Sequence, residues 1–296
     1  MERLIRKACP ACFSGDTYLV TKKYGTILRE PFLVNRCKNC SCVYVVDPIH
    51  PKHLDEIYDK KYFSGEGLDD SVDYVENLKR QSFFFEKYDY QIGSELKQYN
   101  LKSGLKWLDL GCAVGNVLDW AEDRYSAKTY GIELSQFASD IAKSRGHKLI
   151  GATVEDITKK YRGYFDVITC YEVLEHLYEP NKIIESVSYM LKEGGVFHYS
   201  TGAPPKDHQI SDWDYLRPEV HITFYSPECI GDIFIRNNLT PFHRKKLQTN
   251  IKLKYFKLSW KQKIKKYFPE VVIELLRKLR VLHRLQPDAI KGNRLS

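Results

Sequence analysis

The sequence predicts an α/β fold with a parallel central sheet, a small N-terminal four-cysteine unit and a basic helical C-terminal segment. Three observations predict it. Residues 107–116 read WLDLGCAVGN, a buried strand end followed by a tight turn with Gly111, Ala113 and Gly115. Val117, Leu118, Trp120 and Ala121 then restart an apolar pattern at helical spacing, so the stretch is strand, glycine turn, helix. That arrangement turns backbone N–H groups toward a ligand at a helix N-terminus. Twenty-four residues beyond Asp109, a second apolar run ends in Tyr130-Gly131-Ile132-Glu133, which places a carboxylate where a neighbouring parallel strand finishes. A carboxylate there can accept two hydrogen bonds from a ribose diol. Finally, Cys9-Pro10-Ala11-Cys12 and Cys37-Lys38-Asn39-Cys40 form two CxxC pairs.

Composition is that of a globular chain of 296 residues, large enough for one sizeable domain and a small one. The N-terminus lacks the apolar core of a signal peptide, and no apolar run reaches the ~20 residues of a membrane span. Eight cysteines in such a chain point to a reducing compartment and metal binding, and the protein is expected to be cytoplasmic. The net charge of +8 is unevenly placed: residues 243–296 carry 16 Lys+Arg against 3 Asp+Glu, leaving an acidic body and a basic tail. That asymmetry points to a local anionic contact.

Residues 1–50 are expected to form a zinc ribbon. Each CxxC is a tight knuckle offering two thiolates, and Cys9, Cys12, Cys37 and Cys40 together suit one tetrahedral ion. Between them, residues 17–28 and 32–35 alternate enough for short strands, and the metal supplies stability that so small a core cannot. Iron is a minor alternative. Cys42 is surplus to this set, while Cys112, Cys170 and Cys229 read as scattered buried thiols. Residues 51–100 read as an aromatic-rich helical linker that joins the ribbon to the core and partly covers the site. Leu54, Ile57 and Tyr58 fit one helical face, and Val75, Leu78, Ser82 and Phe85 another.

Residues 101–247 are expected to be the catalytic core. Residues 165–170 read as a further buried strand, followed by Tyr171-Glu172-Val173-Leu174-Glu175-His176. Residues 180–192 read as a helix opened by Pro180 and stopped by Gly194-Gly195, and residues 196–201 as the next strand. The variable stretch 212–218, holding Trp213, Tyr215 and Arg217, is a loop suited to covering a flat or anionic acceptor.

The motifs of this core resemble those of the class I S-adenosylmethionine (SAM) methyltransferases. DLGCAVG resembles their motif I, YGIELS their acidic second-strand motif, FDVITCYEVLEHL their fourth-strand motif and LKEGGVFHYST their fifth-strand motif. A dinucleotide site is a weaker match, because Ala113 stands in the middle glycine slot. The resemblance covers nearly everything up to about residue 245. It implies a Rossmann-like, seven-stranded methyltransferase sheet with SAM as cofactor, and a cofactor site of Asp109, Gly111, Ala113, Gly115, Glu133, Leu134, Glu155 and Tyr171. Glu133 would take the ribose hydroxyls and Leu134 the adenine. Thr153 stands where many members carry an acidic residue, which leaves the adenine edge to Glu155 or a backbone N–H. YDKKYFSGEG is similar to the domain entry of zinc-ribbon methyltransferases from glycan and secondary-metabolite clusters, which implies Tyr62 and Phe63 near the SAM pocket.

Methyl transfer is an in-line displacement, so the enzyme must align a nucleophile, exclude water and accept a proton. His176, beyond the fourth strand, is the first candidate base, with His198 and His221 next. Each also has a plain reading as a packed or capping histidine. Glu172, Glu175 and His176 resemble the metal-binding segment of the polyprenyl-catechol O-methyltransferases of quinone biosynthesis, which makes Mg2+ a candidate cofactor.

Residues 248–296 form a basic amphipathic segment with interleaved aromatics. Its helix can dock on the core or on a second subunit of an oligomer. It can also lie peripherally on an anionic inner-membrane surface, or bind RNA. The sequence therefore reads as a SAM-dependent methyltransferase of a sugar, nucleotide-linked sugar or glycolipid, whether small or lipid-linked. The alternatives are an rRNA or tRNA methyltransferase, a quinone-type O-methyltransferase and a SAM-binding adaptor without catalysis.

Overall fold

The computed structural model describes residues 1–26, 28–67, 73–99, 101, 103–246 and 251–257. Two sheets organise them. The N-terminal sheet has Thr17–Tyr24 (β1), Pro31–Cys37 (β2) and Val43–Val45 (β3), all antiparallel. The central sheet begins with Lys106–Leu110 (β4), Lys128–Ile132 (β5) and Leu149–Gly151 (β6). Phe165–Tyr171 (β7) and Leu191–Ser200 (β8) follow. Thr223–Phe224 (β9) does not join that sheet but pairs with β3, giving the N-terminal order β1-β2-β3-β9. Leu239–Lys246 (β10) and Ile251–Lys257 (β11) complete a seven-stranded central sheet of order β10-β11-β8-β7-β4-β5-β6. Its five strands from β8 to β6 run parallel, while β11 and β10 are antiparallel additions at one edge.

Parallel strands need crossovers, and the helices supply them. The helix Asn116–Tyr125 buries Val117, Leu118, Trp120 and Ala121, the apolar set visible in the sequence. Gln136–Ser144 is capped by Ser135, whose Oγ accepts the Ala138 N–H. Pro227–Arg236 is capped in the same way by Ser226, with the Cys229 N–H as donor. The N-terminal unit is fused to this core: Cys9, Ala11, Cys37, Cys42 and Tyr44 share one buried apolar cluster with Leu108, Ile230 and Phe234.

Two element boundaries differ from the sequence reading. The helix expected over 180–192 ends at Met190, because Leu191 turns extended and pairs with Phe165. Gly194-Gly195 therefore lies inside β8, where the register slips from Phe165↔Leu191 to Val167↔Val196 and Gly194 takes a φ of 80°. The core expected to close at residue 247 also draws a strand from beyond it. β11 inserts between β8 and β10, pairing Lys254, Tyr255 and Phe256 with His198, Phe197 and Val196. The rest of the expected basic segment, 258–296, lies outside the described residues. Among the described residues no helix is long and apolar enough to cross a membrane.

Candidate active site

A cavity of about 600 Å³ opens at the carboxyl ends of β4, β5 and β7. The turn after β4 builds its floor. Gly111, Ala113 and Gly115 have φ of 69°, 47° and 93°. A Cβ on Gly111 would lie 2.5 Å from Val173 Cγ2, and one on Gly115 would lie 2.4 Å from the His147 ring, so both positions require glycine. The N–H groups of Gly111 and Cys112 both donate to Ile132 O, at 2.9 and 3.0 Å, which ties the turn to β5. Glu133, just beyond β5, accepts from Ala113 N through Oε2 and from Ser135 N through Oε1, both at 2.8 Å. Burial pushes the Glu133 carboxyl up, against the pull of those N–H groups. Each oxygen keeps a second lone pair for a ligand hydroxyl.

Asp109 is buried at the end of β4 and accepts from Thr169 Oγ1 at 2.6 Å. Burial pushes its carboxyl up to about 7, with the Thr169 hydrogen bond opposing and Glu133 adding. A ligand ammonium beside it would restore the carboxylate. On the other side the loop after β6 presents Ala152, Thr153, Val154 and Glu155 to the cavity, held by Asp156 Oδ2, which accepts from Thr153 N at 2.9 Å.

The linker supplies the opposite wall. Tyr58, Tyr62, Phe63 and Tyr74 line it, with ring centroids 4.9 Å apart for Tyr58–Tyr62 and 5.3 Å for Phe63–Tyr74. Tyr58 Oη lies 2.9 Å from His176 Nδ1. His176 Nε2 is 3.9 Å from Glu175 Oε1, and the His176 and His221 rings are 4.7 Å apart. His221 Nδ1 lies 2.7 Å from Tyr215 O, a carbonyl that can only accept, so Nδ1 carries the hydrogen and Nε2 the lone pair. The ligand atoms of Glu175, His176 and His221 all lie within 4.8 Å of one another.

Glu175 is fully buried. Thr201 Oγ1 donates to its Oε2 at 2.7 Å, and the Tyr215 hydroxyl sits between its Oε1 and Glu172 Oε2, the latter at 2.6 Å. Ser200 Oγ donates to the other Glu172 oxygen at 2.6 Å. One phenolic hydrogen cannot serve two carboxylates, so Glu175 keeps a proton of its own. Burial first, and the neighbouring Glu172 charge second, push Glu175 up to about 8.

The site residues named from sequence are therefore distributed as follows. Asp109, Gly111, Ala113, Glu133, Leu134, Glu155, Tyr171 and His176 line the cavity. Gly115 lies behind its floor as the residue preceding the helix Asn116–Tyr125. His221 is buried against His176. His198 stands apart from the cavity lining: it is 1% exposed, with Nδ1 2.7 Å from Tyr171 Oη and Nε2 2.9 Å from Glu95 Oε2. Tyr58, read from sequence as one face of the covering helices, holds His176, and Tyr215, expected in a loop that covers an acceptor, has its hydroxyl taken by the carboxylate pair; the sequence reading supplied neither pairing. Neither is marked by a motif.

Cys9, Cys12, Cys37 and Cys40 converge with all four sulfurs within 4.8 Å of one another; Cys9–Cys40 is 3.6 Å and Cys12–Cys37 3.5 Å. A tetrahedral ion with metal–sulfur bonds of about 2.3 Å needs edges of roughly 3.8 Å. The donor set fits a metal of the zinc type. Cys229, expected to be an unrelated buried thiol, instead lies with its Sγ 3.7 Å from that of Cys40, because the helix Pro227–Arg236 packs on the second knuckle.

A parallel sheet with a glycine turn after β4, a carboxylate after β5 and a cavity at their carboxyl ends defines a class I SAM-dependent methyltransferase. A family profile described as a methyltransferase domain matches residues 83–243, and the chain belongs to that family. Among curated proteins it is similar to the ubiquinone biosynthesis O-methyltransferase of Thiobacillus denitrificans, 36% identical over 107 residues. The corresponding protein of Escherichia coli O127:H6 is 32% identical over 104 residues. These matches take 33% of this chain and 45% and 43% of the two relatives, so the chain spans less than half the length of the curated relatives it matches. Among solved structures, a chain from the complex of the Haloferax volcanii Trm112 methyltransferase activator with a methyltransferase superposes with a TM-score of 0.51. It is 13% identical over 61% of this chain and 95% of that one. A sarcosine dimethylglycine methyltransferase from Galdieria sulphuraria does so with a TM-score of 0.51 and 12% identity, over 58% and 86%. Both likenesses concern the fold.

Proposed function

We propose that this methyltransferase methylates a hydroxyl oxygen on a ring-shaped small molecule, with His176 as the base. The observation that carries the reading is the placement of His176 on the cavity wall, held by Tyr58 and backed by Glu175 and His221. SAM supplies an activated methyl group. The protein's part is to hold it, align the acceptor and take a proton. Glu133 would hold the ribose hydroxyls, Asp109 would pair with the methionyl ammonium, and the loop carrying Thr153 and Glu155 would border the adenine. With Nδ1 toward Tyr58 Oη, His176 would take the acceptor's proton at Nε2, the nitrogen on the side of Glu175. The rings of Tyr58, Tyr62, Phe63 and Tyr74 exclude water and offer flat surfaces. They favour a phenolic or catechol ring, in keeping with relatives named for ubiquinone biosynthesis.

A sugar or nucleotide-linked sugar is the second reading, favoured by Glu172, Ser200 and Tyr215, which form a hydrogen-bonded polar group beside the cavity. The carboxylate and imidazoles of Glu175, His176 and His221 also suit a divalent cation such as Mg2+, which would acidify the acceptor hydroxyl. In the N-terminal unit, Cys9, Cys12, Cys37 and Cys40 hold a structural zinc.

The test is methyl-labelled SAM with a catechol panel and a nucleotide-sugar panel, each with and without Mg2+. Label in the first panel supports the main reading; label in the second alone moves the acceptor to sugars. His176→Ala is expected to lower kcat about 10²–10⁴-fold while SAM affinity stays within about twofold. Unchanged turnover would remove His176 from the chemistry.

A further inference from the structure

Cys229 lies 189 residues from Cys40 in sequence, on the catalytic side of the molecule, yet its thiol donates to Cys40 Sγ across 3.7 Å. Its geometry marks it as a partner of the four and not as one of them: among the described residues Cys9, Cys12, Cys37 and Cys40 bring their sulfurs within 4.8 Å of one another, a set that Cys229 does not join, and its Sγ reaches that set at Cys40. Cys42 behaves as a second neutral thiol, pointing its hydrogen at Val43 O at 3.6 Å.

Other groups of the catalytic core grip the same knuckles. Asn181 Nδ2 donates to Pro10 O and Ala11 O, both at 3.0 Å, and an Arg236 guanidinium nitrogen donates to Ala11 O at 2.9 Å. From the second knuckle the chain runs directly into β3, whose Val45 N–H donates to Ile222 O at 3.0 Å, while Ile222 N–H donates to Glu175 O at 2.8 Å. The cysteine cluster and the wall that carries Glu175 and His221 are thus joined by the chain into β3 and by these two hydrogen bonds beyond it.

We propose that Cys229 is a positioning residue of the metal centre: its S–H···S hydrogen bond to the Cys40 thiolate links metal loading of the N-terminal unit to the seating of the wall that carries His221. The proposal rests on the zinc reading above. A buried four-thiolate zinc centre carries two net negative charges, and a donor from the catalytic core both disperses that charge and fixes where the knuckle sits. The metal is then expected to order the acceptor side of the cavity and to leave the SAM side, built on β4 and β5, alone.

The experiment uses the full chain and two variants. Cys229→Val keeps the side chain apolar and removes the donor; Cys229→Ser keeps a donor. Zinc affinity is read by competition with a chromophoric chelator, stoichiometry and ligand field by Co2+ substitution, and β9 by hydrogen exchange. Expected are one metal per chain in all three proteins, an affinity loss of about 10–100-fold in Cys229→Val, and near-complete recovery in Cys229→Ser. Stripping the wild type should speed exchange in residues 221–224 while SAM affinity stays within about threefold. Equal zinc affinity in wild type and Cys229→Val would overturn the role of Cys229 alone. Two Co2+ per wild-type chain, falling to one in Cys229→Val, would overturn it too, by making Cys229 a ligand of a second ion. Failure of every protein to bind zinc or Co2+ would overturn the zinc reading itself.

Discussion

Replacing Glu175 by glutamine should flatten the fall of stability with rising pH. The wild-type carboxyl is buried beside Glu172, and its value moves from 4.5 in a free chain to about 8 in the fold. Between those values the unfolded chain releases a proton that the native state keeps. Fewer protons are bound unfolded than folded, so wild-type stability falls as pH rises through this window. The slope from one group approaches about 1.4 kcal/mol per pH unit. From pH 5.5 to 7.5 that is at most about 2.7 kcal/mol, and because the native carboxyl begins to ionise toward pH 7.5 we expect roughly 1–2.5 kcal/mol. The amide is neutral throughout, so the variant should gain this amount on the wild type across the two pH values. Its altered hydrogen bonds to Tyr215 and Thr201 add only a constant offset, which the pH difference removes. Urea unfolding of both proteins at pH 5.5, 6.5 and 7.5 measures it. A stability difference that stays constant to within about 0.5 kcal/mol would refute the argument that this carboxyl is held protonated.

Other outcomes follow from the same geometry. Gly111→Ala should cost about 1–3 kcal/mol and weaken SAM binding, because its Cβ meets Val173 in a left-handed backbone; denaturation and calorimetric titration check both. Ala113→Gly, at a φ of 47°, should gain up to about 1 kcal/mol in the same denaturation assay. Glu133→Gln offers one acceptor where Ala113 and Ser135 need two, so SAM affinity should fall at least about tenfold, read by titration. Glu95→Ala leaves the His198 imidazole without its carboxylate partner and should destabilise by about 1–3 kcal/mol, read by urea unfolding.

Much of this was legible because the signals are local. A CxxC knuckle is specified within four residues, and the turn from Asp109 to Gly115 within seven. Glu133 could be placed because a parallel strand ends where its apolar run ends. What escaped was decided by distant packing. Nothing near Cys229 marks it as a neighbour of Cys40; that contact exists only because the helix Pro227–Arg236 lies on the N-terminal unit. Thr223–Phe224 is too short to announce itself as a strand, and its partner is Val43-Tyr44. β11 was hidden in the basic segment: residues 251–255, IKLKY, alternate with period two, but their lysines share the charge of the residues that follow. The helix ending at Met190 shows the reverse: a glycine pair looks like a stop, but Leu191 leaves the helix earlier to pair with Phe165.

The pairing of β3 with β9 also bears on how the chain is made. Synthesis runs from the N-terminus, so both cysteine knuckles leave the ribosome while the strand that completes their sheet is still to be translated. The cysteine-bearing segment must wait for residues 46–222 before its last strand arrives, a closure of high contact order. An ion captured early would hold the four thiols together during that wait and keep them from oxidation or cross-pairing. On the zinc reading proposed above, metal supply during translation, and not only in the finished protein, should therefore govern how much active enzyme a cell accumulates.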